Sequence, residues 1–96
     1  MSSAYIIANV DVKNPAAYEE YKRLSTIAMK AHGAEVCVRG GKLDALEGDW
    51  SPNRLVLLKF QSLEQARKFY DSTEYGAARK AREGIAIMQM VLVEGV

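Results

Sequence analysis

The stretch Leu55-Val56-Leu57-Leu58-Lys59-Phe60-Gln61-Ser62-Leu63-Glu64-Gln65 carries the decision on fold class. An apolar run of strand length, Leu55 to Phe60, leads straight into a helix start. Ser62 followed three residues later by Gln65 is the pattern of a capping box, in which a side-chain oxygen accepts from an otherwise orphaned backbone N–H. Leu63, Ala66, Phe69 and Tyr70 then recur at helical spacing. The strand is apolar on both faces. Leu55 and Leu57 point one way, and Val56, Leu58 and Phe60 the other.

Working outward, the pattern repeats on both sides. Downstream, Ser72 caps a further helical piece from Thr73 to about Glu83, Gly84 closes it, and a last strand runs from about Ile85 to Glu94. Upstream, Gly48 to Asn53 is a loop by its turn residues. Leu43 to Glu47 is expected as a short return strand, Arg39-Gly40-Gly41-Lys42 as a turn, and Glu35 to Arg39 as a strand. Asn14-Pro15 starts a helix: Asn caps, and Pro fits the first helical position. Tyr18, Tyr21, Leu24, Ala28 and Ala31 give that helix one apolar stripe, and Gly33 ends it. Ala4 to Val12 is the first strand. The order β-α-β-β-α-β is that of a ferredoxin-like α+β domain with an antiparallel sheet, here a single domain over residues 1–96.

A sheet with helices on one face and water on the other should alternate apolar and polar. In the last strand Val91 and Val93 oppose Met88, Met90 and Leu92; in the first, Tyr5 and Ile7 oppose Ile6, Ala8 and Val10. Asn9, Lys59 and Gln89 share the second face, so it is mixed. Two helical segments cover one face only. The other is expected to meet a second copy, giving a homodimer through the sheet faces.

Composition narrows the function. A net charge of +1 does not supply the broad cationic surface of a nucleic-acid binder. No apolar run approaches the roughly 18 residues of a membrane span. The opening Met-Ser-Ser-Ala-Tyr lacks a secretion signal, and the single cysteine allows no intrachain disulfide, so a cytoplasmic protein is expected. One His and one Cys provide no spaced ligand pair, and no dinucleotide fingerprint is present, so no metal, flavin or haem is expected. His32, in the last turn of the first helix, reads as a surface or cap residue. Cys37, mid-strand, reads as a small packed residue.

Four segments hold chemistry-bearing residues. Arg39-Gly40-Gly41-Lys42 is a turn whose amides and arginine suit a carboxylate. Glu47-Gly48-Asp49-Trp50 puts the only tryptophan in a loop, as a lid on the core, a ligand-stacking group or a dimer contact. Arg54 opens the strand after the hairpin, so Arg39 and Arg54 are expected at one rim. Tyr70, Tyr75 and Arg79 are expected toward one cleft, since Tyr75 and Arg79 lie four apart on one helix.

Tyr18-Glu19-Glu20-Tyr21, Val38-Arg39-Gly40-Gly41, Leu46-Glu47-Gly48-Asp49-Trp50, Phe69-Tyr70-Asp71-Ser72, Glu74-Tyr75 with Ala78-Arg79, and Val91-Leu92-Val93-Glu94-Gly95 together resemble the uncharacterised bacterial family called domain of unknown function 1330. The resemblance spans nearly the whole chain. It implies a dimeric α+β barrel, in which two ferredoxin-like subunits pack sheet to sheet. The chain departs from the family in two places: Ile85 to Met90 lacks the acidic residues often found there, and Thr73 stands where proline is common. The dimeric barrel group includes cofactor-free monooxygenases, isomerases, degradative proteins and haem enzymes, and fold alone transfers none of these. The expected site is a cleft formed by Arg39, Trp50, Arg54, Tyr70, Tyr75 and Arg79 that binds or converts a small anionic or aromatic organic molecule. The alternative is a non-catalytic ligand-binding or protein-interaction module.

Overall fold

The computed structural model describes residues 2–96. The elements are β1 (Ala4–Val12), α1 (Pro15–Ala31), β2 (Glu35–Arg39), β3 (Leu55–Phe60), α2 (Leu63–Tyr70), α3 (Thr73–Ala81) and β4 (Ala86–Glu94). The four strands form one sheet in the order β2-β3-β1-β4, with every neighbouring pair antiparallel. This is the ferredoxin-like α+β arrangement.

The helix starts follow local chemistry. The Asn14 carbonyl oxygen accepts from the Ala17 amide at 3.1 Å, and Pro15 occupies the first turn. Ser62 Oγ accepts from the Gln65 amide at 3.1 Å, and Ser72 Oγ from the Tyr75 amide at 3.1 Å. The Gln65 side chain reaches back one residue further than a capping box requires. Its Oε1 accepts from the Gln61 amide at 2.7 Å, while its Nε2 donates to the His32 carbonyl at 2.9 Å, tying α2 to the end of α1.

The core lies between the sheet and the helices. Ala4, Ile6, Ala8 and Val10 of β1, Leu58 and Phe60 of β3 and Ala86 of β4 meet Tyr18, Tyr21, Ala28 and Met29 of α1, Ala66 and Phe69 of α2, and Tyr75 and Ala78 of α3. The opposite face carries no helix. There Ile87 and Val91 are each 60% exposed, and the chain is a slab only 16 Å thick.

Three local expectations are corrected. Leu43 to Glu47 forms no strand. Its residues are all exposed, and an isolated short hairpin is marginal without a packed face. Ala31 is exposed, so the α1 stripe turns inward through Met29 instead. Cys37 is exposed rather than packed, because β2 is an edge strand whose five residues are all exposed, and Cys37 is also the extra residue of a β-bulge. Val36 pairs with Leu58 and Val38 with Leu57, which leaves Cys37 without an opposite partner.

Candidate functional site

The bulge decides where Arg39 points. Glu35 stands opposite Lys59, on the outer face of the sheet. Had β2 been regular, Arg39, four residues on, would share that face. The bulge advances the register by one, and Arg39 stands opposite Val56 on the helix side. Its Nη2 donates to Thr26 Oγ1 of α1 at 3.0 Å.

Arg54 reaches the same place from the other arm of the hairpin. Asn9 Oδ1 accepts from the amides of Asn53 (2.9 Å) and Arg54 (3.3 Å), and the Val10 amide donates to the Arg54 carbonyl at 2.8 Å. The guanidinium lies against Gly40, where a Cβ would collide with it. Gly40 also holds φ +71°, a conformation that favours glycine.

Behind these two arginines is a partly open cavity, with room of about 30 Å³, between α1 and the sheet. Its walls are mostly apolar, including Ile6, Val10, Leu58, Met88 and Met90. Its polar groups are Lys22, Arg39 and Arg54, with Ser25 and the tyrosines Tyr18, Tyr21 and Tyr75. Among the described residues, no carboxylate lines it. Lys22 is paired with Glu19 at 2.8 Å, but among the described residues neither Arg39 nor Arg54 pairs with an acid. The Arg54 Nε is buried without a hydrogen-bond partner.

Tyr21 and Tyr75 are both buried and share a hydroxyl–hydroxyl hydrogen bond of 2.6 Å. Burial pushes both phenols above the ordinary tyrosine range; the Tyr21 bond and the Arg82 charge pull Tyr75 partly back. Tyr18 is also raised by burial, against the charges of Arg54, Arg39 and Arg82. The Arg82 guanidinium sits 5.9 Å from the centre of the Tyr21 ring. Three arginines therefore surround a tyrosine cluster, and an apolar cavity with this lining favours an anion carrying an apolar body.

The expected site residues divide among three places. Arg39, Arg54 and Tyr75 meet at the cavity. Arg79 instead covers the Tyr70 ring, 4.5 Å from its centre, and Tyr70 lines a separate groove with Arg67, Ala66 and Leu92. Tyr70 touches the cluster only through its ring, 5.7 Å from that of Tyr75. Trp50 is 66% exposed on the 41–54 loop beside Leu43 and Leu46, away from the core. Tyr18, Tyr21 and Ser25 also line the cavity and Arg82 lies beside the Tyr21 ring; in the sequence Tyr18 and Tyr21 read as stripe residues and Arg82 as a surface residue, and nothing singled out Ser25. The available signal was two tyrosines, rather than leucines, at fully buried stripe positions: a buried hydroxyl needs a partner. His32 caps α1 and pairs with Glu74 at 3.0 Å, outside the site. Among the described residues, no group of three or more His, Cys, Asp or Glu is arranged to hold a metal ion, and no helix is long and apolar enough to cross a membrane.

The fold and its helix–sheet cavity place the chain among ferredoxin-like α+β proteins. It belongs to the family described as domain of unknown function (DUF1330), whose model matches residues 3–96. No curated protein matches the sequence. Among solved structures, it is similar to a protein of unknown function from Rhodopseudomonas palustris (16% identity, 99% of this chain and 83% of that one, TM-score 0.76). It is similar to SnoaB, a cofactor-independent oxygenase from Streptomyces nogalater (13% identity, 96% and 91%, TM-score 0.64). It also resembles a dimeric protein of unknown function with a ferredoxin-like fold from Bacteroides fragilis (13% identity, 96% and 95%, TM-score 0.64). At these identities the likeness is one of fold.

Proposed function

We propose that the chain binds a small organic anion in the helix–sheet cavity, with Arg39 and Arg54 holding its charged group at the mouth and the tyrosine cluster enclosing its body. One observation carries the reading: among the described residues, two guanidinium groups without acidic partners flank an apolar cavity that contains no carboxylate. Arginine gives carboxylates paired, charge-assisted hydrogen bonds, and an unpaired arginine beside an apolar wall leaves that capacity free. A ligand that binds only the folded state adds its binding free energy to stability, about 2.7 kcal/mol at one hundred times Kd. Short carboxylates should therefore raise the melting temperature of the parent. Arg39→Ala and Arg54→Ala should stay folded and lose that response, whereas Arg79→Ala, remote from the mouth, should keep it. An equal response in all four proteins would refute the assignment.

The functional unit in this reading is a homodimer formed through the outer face of the sheet. The physical support is the uncovered patch made by Ile7, Leu57, Ile87, Val91 and Val93. Four strands at their usual spacing present only about 500 Å² per protomer, short of the roughly 800 Å² of a standard interface. The 41–54 loop, with Leu46 at 92% and Trp50 at 66% exposure, adjoins this face through Leu55 and supplies the remainder. The dimeric relative from Bacteroides fragilis is consistent with such an assembly.

A further inference from the structure

The floor of the cavity holds a proton without a visible destination. Tyr21 and Tyr75 together carry two phenolic protons, and their mutual bond consumes one. Whichever hydroxyl donates in that bond, the other keeps its own proton to give. Among the described residues no acceptor takes it: the two hydroxyls bond each other, and Arg82, the other side chain that bears on Tyr75, can only donate. Ser25 Oγ donates to the Lys22 carbonyl at 3.2 Å and forms no hydrogen bond with either phenol, although its lone pairs stay free. The Arg82 charge beside this pair opposes a second donor approaching and favours an electron-rich oxygen. Buried donors in native proteins almost always find an acceptor. Both rings line the cavity, so an acceptor placed within it lies within reach of the pair. The volume of about 30 Å³ is near twice what one water needs, which restricts the part of a ligand inside the cavity to a few heavy atoms.

We propose that the ligand is a short oxo or hydroxy acid, its carboxylate on Arg39 and Arg54 and its carbonyl or hydroxyl oxygen accepting the free proton of the Tyr21–Tyr75 pair. The proposal rests on the anion-binding reading above and adds the second recognition point. A plain carboxylic acid leaves the phenolic proton unpaired; an oxo or hydroxy acid of the same length satisfies it. A long-chain or aromatic acid exceeds the room in the cavity.

The experiment is calorimetric titration of the purified protein with propionate, pyruvate and lactate, and with butyrate, 2-oxobutyrate and 3-hydroxybutyrate. Within at least one set, the oxygenated acid should bind about tenfold more tightly than its parent, the effect of one buried hydrogen bond. A single Tyr→Phe change does not test this, since the remaining phenol still has a proton to donate. The double variant Tyr21→Phe/Tyr75→Phe does. Replacing both partners by rings of the same shape is close to neutral for stability, and a thermal melt checks folding. In that variant the tenfold preference should vanish while affinity for propionate or butyrate persists. If the parent acids bind, lose affinity in Arg54→Ala, and are not surpassed by any oxygenated acid, the second recognition point is wrong and the anion site stands. A preference that survives in the folded double variant overturns it equally. If none of the six acids binds, both readings fall.

Discussion

Arg54 occupies the space that a side chain on Gly40 would need, and this single contact sets the geometry of the cavity mouth. Gly40→Ala combines two effects. The positive φ of +71° costs a non-glycine residue about 1–2 kcal/mol, and the new methyl displaces the guanidinium. Urea denaturation should show the first and carboxylate titration the second, as a loss of about tenfold in affinity. Unchanged affinity would take Arg54 out of the anion site. Asn9 works on the same residue from the outer face of the sheet, where its Oδ1 fixes the backbone leading into Arg54. The buried tyrosines give a pH dependence with a definite sign. Tyr18, Tyr21 and Tyr75 all have folded-state pKa values raised by burial, whereas in the unfolded chain they ionise near pH 10. Their contribution is fully present below about pH 10 and is lost as pH rises toward the folded values, because only the unfolded chain releases the protons. The urea midpoint should fall above about pH 10. It should fall less steeply in Tyr21→Phe/Tyr75→Phe, and equal slopes would contradict the burial of these hydroxyls.

Each helix begins on a side chain that does more than start it. Ser72 Oγ accepts from the Tyr75 amide and donates to the Phe69 carbonyl at 2.7 Å, so it joins the end of α2 to the start of α3 and holds Tyr75 toward the cavity. Ser72→Ala should cost about 1–2 kcal/mol in denaturant unfolding, while Asn14→Ala, whose cap is exposed, should cost about 1 kcal/mol or less. The reverse order would mean that the α2–α3 junction contributes little. Cap chemistry is local, which is why helix starts were legible at Asn14, Ser62 and Ser72. The bulge at Cys37 was not. Nothing in Glu35-Val36-Cys37-Val38-Arg39 marks an extra residue, since the insertion exists only relative to the register of β3. The Leu43 to Glu47 segment shows the converse. Its sequence suits a strand, but it has no neighbour to pair with and no face to bury.

At the scale of the whole molecule, the slab has one filled face and one open face. Val91 lies on the open one, midway along the edge strand β4 and directly opposite Ile7 of β1. Val91→Asp leaves the helix-side core untouched. By the dimer reading it should convert the assembly to a folded monomer of 10.6 kDa with a broadly similar circular dichroism spectrum, because an unpaired carboxylate is expensive to bury in an interface. Sedimentation equilibrium across micromolar concentrations checks this, and the single tryptophan provides a second signal, since Trp50 emission should shift to the red when its loop loses the partner. A parent protein that is already monomeric at these concentrations would dispose of the dimer. The sequence alone carried the element order, apart from the Leu43 to Glu47 strand that does not form, together with the helix caps and the one apolar and one mixed sheet face, because these depend on residues within a turn or two of one another. It also placed Arg39 and Arg54 at the two arms of one hairpin. Only the tertiary structure decided which side of the sheet Arg39 faces, that Arg79 stacks on Tyr70 instead of lining the cavity, and that Tyr21 and Tyr75, 54 residues apart, share a buried hydrogen bond. Those outcomes depend on register and helix packing, which are set by the simultaneous fit of distant segments and leave no trace in the spacing of neighbouring residues.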